Sequence, residues 1–365
     1  MFVKQLVLRN FRNYSDIALK MTPSINIFYG DNAQGKTNLL EGVYYCAMGR
    51  SHRTSKEKEC IQSGKDEAYA SILYDLHGKE ETIEITLKKT GHKEIRINHY
   101  PVQKISDLIG RFRVVVFSPE DLSLIKEGPQ LRRKFIDMEL SQVDSVYLHD
   151  LQQYYHVLRQ RNQLLKDTAN AQTVRDTIFA WDQQLCYYGI RIMERRQKFV
   201  EKLESYTSVI HEQITGGKEK LTISYQCQAP MDQNEYLSVL QSHFDRDFRF
   251  GTTGDGPQHD DIIISVEGAD VRIFGSQGQQ RTAALSLKLA EMQMMKDETG
   301  DAPVLLLDDV MSELDKQRQM QLASYIRDNQ TIITCTGIED SIRSLAAEGM
   351  YHVSKGSVEP VNIEV

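Results

Sequence analysis

The residues Gly30-Asp31-Asn32-Ala33-Gln34-Gly35-Lys36-Thr37 carry the spacing GxxxxGK[ST]. Glycines at both ends let the backbone curl, so that successive N–H groups point at phosphate oxygens, and the helix that follows adds its positive end. Lys36 is spaced to reach the β- and γ-phosphates of ATP, and Thr37 to put its hydroxyl on Mg²⁺. A second segment, Pro303-Val304-Leu305-Leu306-Leu307-Asp308-Asp309, is an apolar run ending in two carboxylates. Opposite a phosphate-binding loop, Asp308 would take the Mg²⁺ and Asp309 would orient or deprotonate an attacking water. A third, Phe274-Gly275-Ser276-Gln277-Gly278-Gln279-Gln280, precedes a helix predicted over Thr282–Met295. Ser276, Gly278 and Gln279 would there offer a hydroxyl and backbone N–H groups to a γ-phosphate.

These groups must be held by a scaffold, and the patterning predicts one. Phe2–Leu8, Ile17–Met21 and Ile25–Tyr29 read as strands, the last running into the glycine loop, with a helix over Lys36–Gly49. Ala68–Leu76, Thr82–Lys88 and Glu94–Asn98 alternate as half-exposed strands, which predicts an antiparallel sheet, and Arg113–Phe117 reads as a short buried strand. From about Pro129 the period becomes helical. Leu151, Tyr155, Leu158 and Leu165 share one stripe; Val174, Ile178, Trp181, Leu185, Ile192, Phe199, Leu203, Tyr206 and Ile210 share another, ended by Gly216-Gly217. Two helices joined near Asn170 predict an antiparallel lobe. Strand patterning returns at Ile262–Val266 and continues toward the C-terminus.

Composition narrows the class. Lys plus Arg number 44 against 51 Asp plus Glu, a net charge of −7, so any nucleic-acid contact must come from local basic patches. No apolar run approaches the roughly 18 residues that span a bilayer, and the start carries no signal-like stretch, so a cytoplasmic protein is expected. The five cysteines are scattered without a CxxC and the ten histidines without HExxH, which predicts neither a disulfide framework nor a transition-metal site.

The order P-loop, Ser276 loop, acid-terminated strand and then Ser312-Glu313-Leu314-Asp315 resembles the ABC-type ATPases: P-loop, signature, Walker B and D-loop. That resemblance implies a homodimer closed over ATP, with Ser276 of one copy serving the nucleotide of the other. A transporter subunit, the alternative, would place its signature roughly 100 residues after the P-loop, whereas about 240 separate them here, and it would carry Glu at Asp309 and a switch His near Thr334-Cys335-Thr336. The shorter Asp309 carboxylate implies slow hydrolysis, acting as a timer.

Over nearly its whole length the chain resembles the RecF family of recombination mediators. The resemblance rests on Asn10-Phe11-Arg12-Asn13-Tyr14, the P-loop with Asn38-Leu39-Leu40-Glu41, and Ser51-His52-Arg53-Thr54. It continues through Phe117–Leu122, Arg132-Arg133-Lys134-Phe135, Gly275–Thr282 and Leu305–Asp315, and is weakest from about 166 to 254. Where the family has Gly-Pro-His-Arg-Asp-Asp, this chain has Gly256-Pro257-Gln258-His259-Asp260-Asp261. The implied fold is α/β: an ABC-type P-loop ATPase head (a mixed sheet with flanking helices plus an antiparallel β subdomain) over 1–125 and 246–365, with an inserted α-helical lobe over 126–245. The implied function is ATP-dependent DNA binding in recombinational gap repair. RecO and RecR would be partners in loading RecA, in support of DNA replication and SOS induction.

Three clusters could neutralise DNA phosphates without reading sequence: Arg50, Arg53, Lys56 and Lys58; Arg132, Arg133 and Lys134; and Arg191, Arg195, Arg196 and Lys198. Arg191, Arg195 and Lys198 fall on one helical side. No aromatics interleave, so duplex contact, at a gapped junction, is expected over base stacking.

Overall fold

The switch from alternating to helical patterning separates two kinds of structure along the chain, and the computed structural model describes them over residues 1–167, 170–337 and 349–361. β1 (Phe2–Phe11) and β2 (Tyr14–Lys20) form a hairpin, and β3 (Ile25–Tyr29) leads through the glycine loop into α1 (Lys36–Met48). β4 (Glu67–Leu76), β5 (Lys79–Lys88), β6 (Glu94–Ile97), β7 (Tyr100–Val102) and β8 (Val114–Phe117) follow. Next come α2 (Leu122–Lys126), α3 (Pro129–Val143), α4 (Ser145–Asp167), α5 (Ala171–Thr215), β9 (Leu221–Gln226), α6 (Gln233–Ser242) and α7 (Phe244–Phe250). β10 (Asp261–Val266), β11 (Ala269–Asp270) and α8 (Val271–Phe274) precede α9 (Gln277–Thr299). The last elements are β12 (Val304–Asp308), α10 (Val310–Glu313), α11 (Lys316–Ile326), β13 (Thr331–Cys335), β14 (Gly349–Ser354) and β15 (Ser357–Pro360). No helix among the described residues is long and apolar enough to cross a membrane.

The chain divides into two compact units, Met1–Asp121 with Lys288–Val365, and Leu122–Leu287. In the first, β14, β3, β13, β12 and β8 run parallel, and β15 closes one edge antiparallel. Strands buried on both faces read as unbroken apolar runs, which is why Val304–Leu307 is fully buried and shows no alternation. The second sheet, ordered β2-β1-β4-β5-β6-β7, is antiparallel and does alternate: Ile83, Ile85 and Leu87 point inward. Gln330 ties the two sheets, accepting from the Val3 N–H at 2.6 Å and donating to Val3 O at 2.8 Å.

In the second unit, α4 and α5 lie antiparallel, linked by Arg161–Asp182, Arg191–Asp150 and Arg195–Asp150. Asn170 caps α5, accepting from Gln172 N, and Gly216 ends it in the left-handed region. This unit departs from the purely helical lobe expected over 126–245. Strand β9 pairs antiparallel with β10, from Leu221↔Val266 to Gln226↔Asp261, and β11 completes a three-stranded sheet. Residues 246–287, expected with the head, therefore group with the second unit: β10 takes its hydrogen bonds from β9, and Asp261 is gripped by Arg132 of α3 at 2.7 and 2.9 Å. Helices α6 and α7 fall in the stretch where sequence patterning made no assignment. The helix predicted over Thr282–Met295 is present as α9; the rest of the expected C-terminal strand pattern is interrupted by α8, α10 and α11, and residues 362–365 lie outside those described.

Two buried arginines organise the second unit. Arg161, with no exposed surface, donates to Asp182 (2.7 Å), Asp247 (2.9 Å) and Thr253 (2.8 Å). Arg196 donates to Asp137 (2.7 Å), Asp260 (3.2 Å) and Pro257 O (2.6 Å). Burial pushes the carboxyls of Asp182 and Asp260 upward, against the pull of these guanidiniums. Removing one partner leaves an uncompensated charge in the interior. Arg161→Leu should therefore destabilise the protein by about 3–5 kcal/mol in urea unfolding followed by circular dichroism; a loss below about 1 kcal/mol would show that Asp182 and Asp247 do not depend on it.

Candidate functional site

The glycine loop occupies the C-terminal end of β3, where the edges of a parallel sheet gather ligands. Gly30 (φ 155°) and Gly35 (φ 116°) are required sterically: a Cβ on the first would lie 2.2 Å from Val353 O, and one on the second 2.4 Å from Asn13 Nδ2. Lys36, 7% exposed, sits inside the curl and donates to Gly30 O (2.7 Å) and Asp31 O (2.8 Å). An ammonium has three protons, so one is left for a phosphate oxygen. Asp31, Asn32 and Ala33 form the exposed rim, Ala33 at φ 63°, while Gln34 is tied down by Lys355 N (2.7 Å) and Gly356 N (3.3 Å).

Thr37 and Asp308 meet. The threonine hydroxyl donates to Asp308 Oδ1 at 2.8 Å, and Thr334 Oγ1 donates to the same oxygen at 2.7 Å. The strand order produces this, because β13 lies between β3 and β12 and its Asp308↔Thr334 register puts the threonine at their shared tip. Two hard oxygen ligands side by side fit Mg²⁺. Asp309 takes φ 54°, a left-handed backbone that a non-glycine residue adopts only under constraint; its N–H donates to Thr334 O (3.1 Å), and Ser312 Oγ donates to its carbonyl (2.8 Å). Asp315 caps α11 through Arg318 N, and the Glu313 side chain lies outside the described residues.

Sequence spacing missed the brace around the loop. Glu41, on α1 and fully buried, receives Arg12 bidentately (2.9 and 2.6 Å) and Ser51 Oγ at 2.5 Å, with Arg53 at 3.5 Å. Burial opposes ionisation of Glu41, but the hydrogen bonds from Arg12 and Ser51 prevail and hold its carboxyl below the usual range. Asn13 donates to Gln34 O (2.8 Å) and accepts from Asn38 (2.8 Å), and Tyr14 OH donates to Gly35 O (3.0 Å). The β1–β2 tip, with Arg12 at φ 55°, is thus fitted against the P-loop. The signal was present: these are the Asn10–Tyr14 and Ser51–Thr54 segments that carried the family resemblance.

In the second unit Ser276 caps α9, which starts at Gln277, five residues before the predicted Thr282. Gln279 N donates to Ser276 Oγ (3.2 Å) and Ser276 N to Gln279 Oε1 (2.9 Å), a reciprocal capping box, with Gly278 exposed in the first turn. The Gln258-His259 departure is locally structural: Gln258 bonds Tyr154 OH and donates to Thr253 O (3.3 Å), and His259 Nε2 lies 3.3 Å from the same oxygen.

The basic clusters fare unequally. Arg50, Arg53, Lys56 and Lys58 are exposed, and a groove of about 600 Å³ beside them is lined by Lys56, Lys58, Lys88 and Lys93 with Glu57 and Glu59. Arg132 must be withdrawn as a DNA ligand: it is 4% exposed, with Asp261 and two backbone carbonyls on its guanidinium. Arg133 donates to Asp260 O (2.6 Å), and Lys134 is exposed. Arg196 is buried and must be withdrawn likewise, whereas Arg191 and Arg195 are half-buried and share Asp150, which leaves Lys198 the exposed cation of that ridge.

Comparison with known proteins bears on this arrangement. The family model for the RecF/RecN/SMC N terminal domain matches residues 2–358. The DNA replication and repair protein RecF of Lachnoclostridium phytofermentans is 45% identical over 98% of this chain and 99% of its own length; that of Agathobacter rectalis is 45% identical over 99% and 100%. The solved structure of the recombination mediator protein RecF-ATP in the RecFOR pathway superposes with TM-score 0.91 at 36% identity, covering 99% of each chain. An Smc head bound to the C-winged helix domain of ScpA, at TM-score 0.58 and 16% identity, shares the fold alone. A P-loop braced by Arg12, Asn13 and Glu41, in a chain matched end to end by these relatives, makes this protein a member of the RecF family.

Proposed function

We propose that the chain is an ATP-dependent DNA-binding protein of recombinational gap repair, acting with RecO and RecR to promote RecA loading, and so in DNA replication and the SOS response. The observation that carries the nucleotide half is the 2.8 Å hydrogen bond between Thr37 and Asp308 beside a curled P-loop; family membership carries the repair half and excludes the transporter subunit. Lys36 and the loop N–H groups bind the phosphates of ATP. Mg²⁺, held by Thr37 and Asp308, supplies neutralisation of phosphate charge when bound. In hydrolysis a water oxygen attacks the γ-phosphorus, the bond to the bridging oxygen breaks, and Asp309 orients the water and receives its proton. The constrained Asp309 backbone and short carboxylate suit slow turnover, a timer on a closed state.

That closed state is a homodimer in which Ser276, Gly278 and Gln279 of one copy meet the γ-phosphate held by the other. The exposed cations at Arg50, Arg53, Lys56 and Lys58 and the adjoining groove form the DNA-phosphate surface, with a cytoplasmic location following from the partners.

Sedimentation with and without ATP-Mg²⁺ and a gapped duplex should show the wild type dimerising and holding DNA, and Lys36→Met and Ser276→Arg remaining monomeric. Lys36→Met should weaken ATP binding about 100-fold, because a charge-assisted hydrogen bond to phosphate is removed, whereas Ser276→Arg should bind ATP normally. A Ser276→Arg variant that dimerises would remove the signature assignment. Asp309→Asn should slow hydrolysis at least about tenfold; unchanged turnover would leave a clamp without hydrolysis. For DNA, replacing Arg50, Arg53 and Lys56 by Ala should lower the salt dependence of duplex affinity by about 0.9 for each phosphate no longer neutralised, read by anisotropy across salt concentrations. An unaltered slope would place the DNA elsewhere.

A further inference from the structure

The capping box at Ser276 is not left to itself. The amide of Gln279 donates to Glu219 Oε1 at 3.1 Å, from the segment between α5 and β9. The second carboxylate oxygen, Oε2, lies 3.5 Å from Nε2 of His211, which is on α5 and has no exposed surface. The other ring nitrogen, Nδ1, lies 3.1 Å from Ser286 Oγ. Ser286 also donates its hydroxyl proton to Thr282 O (2.8 Å), which leaves its oxygen to meet the His211 ring. The Gln279–Glu219 hydrogen bond therefore ties the first turn of α9 to the segment between α5 and β9.

We propose that Glu219, acting through Gln279, is a positioning residue for Ser276. A glutamine at the third helical position ordinarily keeps its amide group in water and samples several rotamers. Fixing that amide with a carboxylate fixes Gln279 Oε1 on the Ser276 N–H, and with it the hydroxyl and the first N–H groups of α9 that the γ-phosphate would meet. Such prepositioning removes ordering cost at the moment of closure. This inference rests on the reading of Ser276 given above, so its test includes that residue.

The full chain is compared as wild type, Glu219→Ala, Glu219→Gln and Ser276→Arg. Three quantities are read: ATP-Mg²⁺-dependent dimerisation by sedimentation, binding of a fluorescent ATP analogue at monomeric concentration, and melting temperature. Glu219→Ala should weaken dimerisation about tenfold, since one hydrogen bond is removed at each of two symmetric sites, with nucleotide binding unchanged. Glu219→Gln keeps an oxygen for the Gln279 amide and should recover most of that affinity. Should Glu219→Ala dimerise like wild type while Ser276→Arg does not, the positioning role is wrong and the signature reading stands. Dimerisation by Ser276→Arg would overturn both. Equal weakening in the Ala and Gln variants, tracking melting temperature, would reduce Glu219 to a structural cap and overturn the proposal.

Discussion

A carboxylate with no access to water must be matched where it stands, and Glu41 is that carboxylate for the first unit. Taking an ion out of water costs several kcal/mol, recovered only if its lone pairs are filled with good geometry. Arg12, Ser51 and Arg53 fill them, arriving from two separate segments: the β1–β2 tip and the loop after α1. Because Glu41 lies on the helix that begins with Lys36, satisfying its charge also fixes what surrounds the phosphate loop. The left-handed Arg12 and the close approach of Asn13 to Gly35 follow from the same constraint.

Strand order supplies the other half of the site. Had β12 lain directly beside β3, Asp308 would have neighboured the P-loop strand without an intermediary. Instead β13 separates them, and Thr334 at its tip holds the Asp308 oxygen that Thr37 also reaches. The carboxylate is thereby oriented by two hydroxyls, Thr37 and Thr334, that meet on one of its oxygens. The same threonine receives the Asp309 backbone, so one residue sets both acids.

Charge is distributed unevenly over this acidic chain. Much of its arginine is spent internally: Arg132, Arg161 and Arg196 are buried and paired with Asp, and Arg191 and Arg195 share Asp150. An arginine with its fork occupied by a carboxylate has few donors left for a phosphate. What stays exposed around 50–58 is a run of cations on one stretch of surface, in the same unit as the P-loop. Local concentration, and not net charge, is then the relevant quantity.

By itself the sequence determined the local chemistry and the elements with strong periodicity. Gly30, Gly35, Lys36 and Thr37 are legible because a phosphate cradle needs those residue types at that spacing. β3 is legible as an unbroken apolar run before the glycine loop, α1 as the helix such a loop opens, and the α4–α5 stripes because each buries one repeating face. The capping box was also written there, as Ser276 with Gln279 three residues on, though it reads equally as a phosphate loop. Tertiary structure alone decided which charged residues meet. Arg132 and Arg53 look alike in a string of letters, yet Asp261 draws one into the interior while Glu41 and Asn38 hold the other at the surface. The placement of β9 against β10, and hence of residues 246–287 in the second unit, depended on strand pairing across more than thirty residues of intervening chain. Periodicity records which face a residue turns inward; it carries no record of what stands opposite, and partners distant in sequence settle that.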